Sequence, residues 1–518
     1  MRWDATALSL FLPFLLATAL YPTFANIVER VLTADGKHDK TLNPPTPSVL
    51  RSNGTHQFQP TVLMISLDGF HAQYLERGYS PNILKFGQQG LRADYMTPVF
   101  PSATFPNHYA IATGLYAESN GIVGNSFFDP ILNDTFYYKD RVISANAKWW
   151  GGEPIWATAE KQGHRSGVNM WPGSTAPIKG ILPTHVKEYK SGITPASKFQ
   201  QVLEWIDLPF EKRPSLLLTY IPEIDSAGHQ YGPDSAQVNN NIRTVDSALG
   251  YLFDELSRRN LTNIVDVLVL SDHGMTWSNP SKYYITVESI IGQAETDAKI
   301  HSIQGAPIGS ISVKEPKHQN VPDIYNKLKA SQTLKNANIA VYLRDEVPER
   351  LHFSKNERIG DIVVIPPKPY VFMQGNPADP RLEDKNLGKD ILVGLHGYDN
   401  LDPSMRAIFV ANGPSFRQKA VKPQLSENVK RYLEAQSGNI GAHDKYWNPG
   451  RGYTKVPNKR GGQATPSNSG VDGDDDLSHS RHPHFRNVEV YGLICKILGL
   501  NPAPNNGTSF FHSWWLAQ

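Results

Sequence analysis

Apolar positions along the chain fall into two kinds of run. Thr61–Leu67 reads T-V-L-M-I-S-L, apolar at nearly every position and of strand length, the pattern of a strand covered on both faces. It stops at Asp68-Gly69, and Ser80-Pro81 then opens a helix predicted over Asn82–Gln89. The same order returns further on. Ser215–Tyr220 is an apolar strand followed by P-E-I-D-S-A-G-H, after which Val238, Ile242, Val245, Leu249, Phe253 and Leu256 recur at spacings of three and four, an amphipathic helix facing a core. Ile264–Leu270 is another buried strand, ending in Ser271-Asp272-His273-Gly274. Ile362–Ile365 and Ala407–Val410 are shorter strands, and Asn487–Leu500 resumes helical spacing and packs back on the sheet. Strands alternating with helices predict an α/β fold, a mostly parallel central sheet with helices on both faces. In such sheets ligands bind beyond the carboxyl ends of the strands. Asp68, Asp225, Asp272 and His273 all lie at or just past such ends, so separate strands deliver carboxylates and an imidazole to one edge.

Polarity shifts mark the ends of the folded part. Residues 1–25 resemble a secretory signal peptide: Arg2, an apolar run from Ala5 to Leu20, then Thr23-Phe24-Ala25 at cleavage spacing. The run is short for a membrane span and contains Pro13, so retention as an anchor is the weaker alternative to a secreted protein with no membrane span in its mature form. Residues 26–59 are polar and proline-rich and read as a poorly ordered leader. Residues 60–518 are read as one domain with a surface excursion at about 417–481, where Gly, Pro, Asn, Asp and Lys dominate. The D-G-D-D-D run at Asp472–Asp476 lacks the ligand spacing of an EF-hand. Four N-x-S/T sequons, at Asn53, Asn133, Asn260 and Asn506, agree with a secretory route. A net charge of +2 over 518 residues argues against stable binding of a nucleic-acid polyanion. The single cysteine, Cys495, excludes an intramolecular disulfide and a cysteine-rich zinc site, and its apolar surroundings make it a buried thiol.

The candidate chemistry gathers around P-V-F-P-S-A-T-F-P-N-H-Y-A-I-A-T-G, Pro98–Gly114. This stretch reads as a loop running into a helix, with Pro106 at the first helical position and the Thr104 hydroxyl at the positive end, where free N–H groups suit a phosphate. Taken alone, Thr104 is more simply a cap. Its company changes that reading. Asp68, Asp225, His229, Asp272, His273 and His396 are oxygen and nitrogen ligands of the type zinc accepts, and six of them with one hydroxyl suffice for two metals. Two ions about 4 Å apart clamp a displacement at phosphorus, and metal coordination activates a hydroxyl too weakly acidic to ionise unaided.

The motifs L-D-G-F (67–70), T-F-P-N-H-Y (104–109), G-I-V-G-N (121–125), W-W-G-G-E-P-I-W (149–156), W-P-G-S (171–174), D-S-A-G-H-x-Y-G-P (225–233), S-D-H-G-M (271–275) and H-G-Y-D-N (396–400) resemble, in this order, the nucleotide pyrophosphatase/phosphodiesterase family of the alkaline phosphatase superfamily. The resemblance covers 61 to about 416 and about 482 to 510. It implies an alkaline-phosphatase-like fold and two zinc ions per chain. Asp225, His229 and His396 would hold one; Asp68, Asp272 and His273, with Thr104 as nucleophile, the other. Asn125 would give its side-chain amide, and Phe105 its backbone N–H, to a phosphate oxygen. Phe105 and Tyr220 would line a slot for a nucleobase. His108 is read as supporting structure, His482 and His484 as surface residues, and the tryptophan-rich run as a support beneath the site. The implied activity is hydrolysis of nucleotide diester or pyrophosphate bonds through a phospho-threonine, releasing nucleoside 5′-monophosphates. The alternatives are a lysophospholipid or choline-phosphate diesterase of the same family and a non-catalytic, zinc-stabilised glycoprotein.

Overall fold

The computed structural model describes residues 49–375, 391–416, 481–508 and Leu516, all within one structural unit, Ser48–Gln518. The signal-like segment, most of the leader and nearly all of the 417–481 excursion lie outside the described residues. The end of the leader does not match its predicted disorder. Arg51–Ser52 pairs antiparallel with Gln57–Phe58. Phe58 is buried under the Arg213 guanidinium, and Arg51 donates to the Ile264 carbonyl. One apolar side chain and one well-placed cation outweigh a polar, proline-rich composition.

The strands and helices that position the site are, in chain order, β1 (Thr61–Leu67), α1 (Pro81–Gln88), β2 (Leu91–Ala93), α2 (Thr104–Thr113), β3 (Ser166–Asn169), β4 (His185–Lys187), α3 (Pro195–Ile206), β5 (Leu216–Ile221), α4 (Glu223–Tyr231), α5 (Ala236–Arg258), β6 (Val265–Leu270), β7 (Ile300–Gln304), β8 (Gly309–Val313), β9 (Ala340–Leu343), β10 (Ile362–Ile365), β11 (Phe409–Asn412), β12 (Arg481–His482) and α6 (Glu489–Leu498). The central sheet runs β12-β2-β11-β6-β1-β5-β3-β4. All neighbouring pairs are parallel except the two that involve β11, which therefore runs against the other seven strands. The apolar run Ala407–Val410 predicts a strand but not its direction, which follows from its pairing with β6 and β2.

Alternate residues of β1 face opposite layers. Leu63, Ile65 and Leu67 join the apolar faces of α3 and α5, while Val62 and Met64 join α2, α6 and the tryptophans of the 149–156 run. Trp149 and Trp156 are fully buried, as a support beneath the site requires. Each fully buried leucine here, such as Leu249, is worth about 2–5 kcal/mol against alanine. The Ser235 hydroxyl caps α5 by accepting from the Val238 N–H at 3.2 Å.

Ile362–Ile365 departs from the parallel reading. It is β10, inside a separate four-stranded antiparallel sheet of order β7-β8-β10-β9. Ile311, Val341, Ile362 and Val364 there pack with Ile324 and Leu328 of the helix Lys317–Ala330. A four-residue apolar run shows that a strand is buried, not which sheet buries it. His482 and His484 also differ from the surface reading. Both are half-buried, and His484 stacks on Tyr95 at 4.5 Å.

Candidate metal centre and substrate cavity

The register of the central strands brings the candidate ligands together. Leu67 stands opposite Ile221, and Leu270 opposite Ser66, so β1, β5 and β6 end at one level. Asp68 follows β1 directly, and Asp272 and His273 follow β6 after Ser271. After β5 the chain turns at Pro222 into α4, which carries Asp225 and His229 one turn apart. His396 follows the strand Val393–Leu395, paired antiparallel with Thr276–Ser278. Gly394 is required there: a Cβ would lie 2.0 Å from the Gly228 carbonyl oxygen of α4. That close approach lets His229 donate from Nδ1 to the Gly394 carbonyl at 2.9 Å.

All three imidazoles are held in the same way. His229 donates to Gly394 O, His273 to Gly274 O at 2.9 Å, and His396 to Ser102 O at 3.0 Å, each from Nδ1. A carbonyl only accepts, so a proton sits on each Nδ1, and the ring when neutral presents a bare Nε2. The Nε2 atoms of His229 and His396 face each other at 3.0 Å, and each lies 3.5 Å from Asp225 Oδ1. Two lone pairs at that distance repel unless a proton or a cation lies between them. Asp225, His229 and His396 form one group able to hold a metal ion, and Asp68, Asp225 and His273 form a second. Asp225 thus faces both groups. Asp272 adjoins the second: its Oδ2 is 3.0 Å from His273 Nε2, and its Oδ1 accepts the Gly69 N–H at 3.1 Å.

The electrostatics of Asp68 and His396 point the same way, whereas at His273 burial is outweighed by the Asp272 carboxylate, which holds the imidazole above its usual range. Burial, with the Asp225 and Asp272 carboxylates alongside, pushes Asp68 well above the usual carboxylate range. Burial, with His273 and His229 alongside, holds His396 well below the usual imidazole range. Buried Asp68 Oδ1 and Asp272 Oδ2 accept no hydrogen bond from the protein. Buried carboxylate oxygens left in this way, beside bare imidazole nitrogens, suit a divalent cation with oxygen and nitrogen ligands; no thiolate is near.

Thr104 is the first residue of α2, not its cap. Ala103 occupies the cap position with no side-chain bond, and Pro106 is the third helical residue rather than the first. The shift is harmless because the first N–H groups of a helix have no intrahelical acceptor. The Thr104 hydroxyl, released from capping, lies 3.3 Å from His273 Nε2. His108, one turn later and fully buried, ties this helix start down. Its Nδ1 donates to Thr104 O at 2.8 Å, and its Nε2 lies 2.8 Å from Ser66 Oγ.

A cavity of about 750 Å³ opens over these groups. Asp68, Thr104, Asn125, Asp225, His229 and His396 line it, with Asp272 and His273 buried outside its lining. Asn125 Oδ1 accepts the Phe105 N–H at 2.9 Å, so that N–H is engaged by the protein and the amide's donor is Nδ2. Phe105 and Tyr220 both line the cavity, in different ways. The Phe105 ring meets Tyr138 at 5.1 Å and Phe136 at 6.0 Å. Tyr220 is 8% exposed, its ring lies edge-on to His108, and its hydroxyl donates to Asp68 Oδ2. Tyr189, absent from the residues singled out in sequence, also lines the cavity and is 44% exposed. It follows β4, a polar three-residue edge strand with no apolar run to announce it. Its signal is positional: it lies past the carboxyl end of a strand of the same sheet.

The fold and the site together define an α/β enzyme of the alkaline-phosphatase-like kind, with carboxylates and imidazoles at the carboxyl edge of its sheet. The chain belongs to the type I phosphodiesterase/nucleotide pyrophosphatase family, whose model matches residues 62–399. An uncharacterised pyrophosphatase/phosphodiesterase of Schizosaccharomyces pombe is 36% identical over 463 residues, covering 88% of this chain and 80% of that protein. Human ectonucleotide pyrophosphatase/phosphodiesterase family member 1 is 33% identical over 458 residues, covering 87% of this chain but 41% of that longer protein. Among solved structures, inactive murine ectonucleotide pyrophosphatase/phosphodiesterase 5 in complex with AMP superposes with a TM-score of 0.68 at 29% identity, covering 89% of this chain and all of that one. No helix among the described residues is long and apolar enough to cross a membrane.

Proposed function

We propose that this chain is a secreted two-zinc hydrolase that cleaves nucleotide phosphodiester or pyrophosphate bonds and releases nucleoside 5′-monophosphates. The observation that carries this reading is the pair of bare Nε2 atoms, on His229 and His396, 3.0 Å apart beside Asp225. Asp225, His229 and His396 would hold one zinc; Asp68, Asp272 and His273 the other, next to Thr104. When bound, the ions supply Lewis-acid stabilisation of the attacking oxygen and of the charge that develops on phosphorus.

The residues of the chain supply the rest. The Thr104 oxygen attacks phosphorus and the bond to the leaving oxygen breaks, so that the nucleoside 5′-phosphoryl group resides on Thr104. Water then attacks the same phosphorus and returns the threonine oxygen. Asn125 Nδ2 donates to a non-bridging oxygen whose charge grows in the transition state, a contact worth about 3–4 kcal/mol in comparable sites. Phe105 forms one wall of the nucleobase slot. Tyr189 suits the other wall better than Tyr220, because its ring is open to the cavity while Tyr220 is committed to Asp68. AMP in the murine neighbour supports a nucleotide in this slot. The signal-like first 25 residues support secretion, as do the sequons, of which Asn133, Asn260 and Asn506 are exposed. The test pairs metal analysis of the purified protein with turnover of a chromogenic nucleotide ester and a choline-phosphate ester. The reading expects two zinc per chain and the nucleotide ester as the better substrate. Preference for the choline-phosphate ester would shift the assignment to a lipid-type diesterase, and a metal-free, inert protein would end it.

A further inference from the structure

Asn125 lies between buried Val123 and Phe127, and its Oδ1 accepts the Phe105 N–H at 2.9 Å, but its amide must be placed to within a fraction of an ångström, which calls for a fixed backbone on both sides of it. The stretch Gly121–Asp129 leaves the short helix Ala117–Asn120, passes Asn125 and becomes the first strand of the hairpin Ser126–Asp129/Asp134–Tyr137. Both ends of that stretch are gripped by one guanidinium from the antiparallel lobe. Arg358 Nη1 donates to the Gly121 carbonyl at 2.8 Å, and Nε donates to Asp129 Oδ2 at 2.7 Å. The same group donates to the Trp149 carbonyl at 2.6 Å and the Lys148 carbonyl at 3.2 Å. Its Cζ lies 5.3 Å from the centre of the Phe127 ring and 5.7 Å from that of the Trp149 ring. Arg358 is itself fixed: its N–H donates to Asn356 Oδ1 at 3.0 Å, and Asn356 Nδ2 donates to the Glu118 carbonyl at 2.9 Å.

We infer that Arg358 is a positioning residue for the reaction: by holding Gly121 and Asp129 at fixed separation, it sets the aim of the Asn125 amide at the phosphate, so that the antiparallel lobe acts on catalysis without touching substrate. This inference rests on the role proposed for Asn125. Four carbonyl and carboxylate acceptors around one planar cation call for a fork, which lysine cannot reproduce with a single ammonium. Phe128, in the same hairpin, adds a second tie to that lobe, with its ring 4.0 Å from His301 and its N–H donating to Gln304. The lobe therefore braces the hairpin at more than one point, and a change at Arg358 alone leaves it attached while loosening the Asn125 stretch.

The experiment is a double-mutant cycle on the zinc-loaded full chain, with N125A, R358K and the double variant assayed on a chromogenic nucleotide ester. Zinc content and Tm are measured alongside. R358K is expected to lower kcat about tenfold with KM little changed, and N125A about a hundredfold. In the N125A background R358K is expected to lower kcat less than twofold, because there is no longer an amide to aim. Equal factors in both backgrounds overturn the inference while leaving Asn125 as a donor. Full activity of N125A overturns both. Should R358K not fold, D129N enters the same cycle, since it weakens one grip and keeps the arginine in place.

Discussion

Tyr220→Phe separates two jobs that one residue has been assigned. In the slot reading the ring stacks on a base; in the structure the hydroxyl donates to Asp68 Oδ2 and the ring is nearly buried. Phenylalanine keeps the ring and removes only the donor. Asp68 would then keep Oδ1, which accepts no protein hydrogen bond, and lose the single donor to Oδ2 that holds its plane. A hydrogen bond to a charged group contributes about 1.5–3 kcal/mol, and loss of a partner behind a metal ligand costs roughly 10–100-fold in metal affinity. The two figures agree, since 1.4 kcal/mol is about a factor of ten. The assay is competition for zinc against a chromogenic chelator, followed by steady-state kinetics with zinc in excess. Zinc affinity at the Asp68 site is expected to fall about 10–100-fold, with KM for a nucleotide ester unchanged once zinc is saturating. Unchanged zinc affinity with a raised KM would refute this reasoning and make Tyr220 a wall of the slot.

Thr104→Ala is expected to retain zinc and lose at least about a thousandfold in kcat, because the nucleophile is removed while the six carboxylate and imidazole ligands stay; full activity would dismiss the phospho-threonine route. Tyr189→Ala should raise KM for a nucleotide ester about tenfold and leave a small alkyl phosphodiester unaffected, whereas an equal loss on both would deny it a role in base stacking. Removing zinc with a chelator should lower Tm by several degrees, since binding at a hundredfold excess over Kd stabilises by about 2.7 kcal/mol. An unchanged Tm would mean that the carboxylates at the sheet edge are not relieved by a cation.

What the chain discloses in sequence is what depends on strand ends. Asp68, Asp225, Asp272 and His273 follow runs so apolar that their burial is certain, and parallel strands of one sheet bring those ends to one edge. His229 comes with Asp225 because four residues make one helical turn. His396 was legible only from its glycine-flanked motif, since its strand is short and lies outside the central sheet. Features that arise from packing between distant segments were not legible. The hydroxyl of Tyr220 finds Asp68 across 152 residues, and Arg358 finds Asp129 across 229. Neither pairing has a local signature. The antiparallel lobe escaped for a related reason: β7 and β8 are half-polar, and β9 and β10 are apolar but only four residues long, so their partners follow from contact and not from pattern. The start of α2 was displaced because Pro106 fits the first or the third helical position, both of which lack an intrahelical acceptor.

Anomalous diffraction at the zinc absorption edge, from crystals grown with zinc, tests the centre most directly. Two peaks are predicted, one among Asp225, His229 and His396 and the other among Asp68, Asp272 and His273 within bonding reach of Thr104 Oγ1. Density at neither place, or ions bound away from the carboxyl edge of the sheet, would contradict the account.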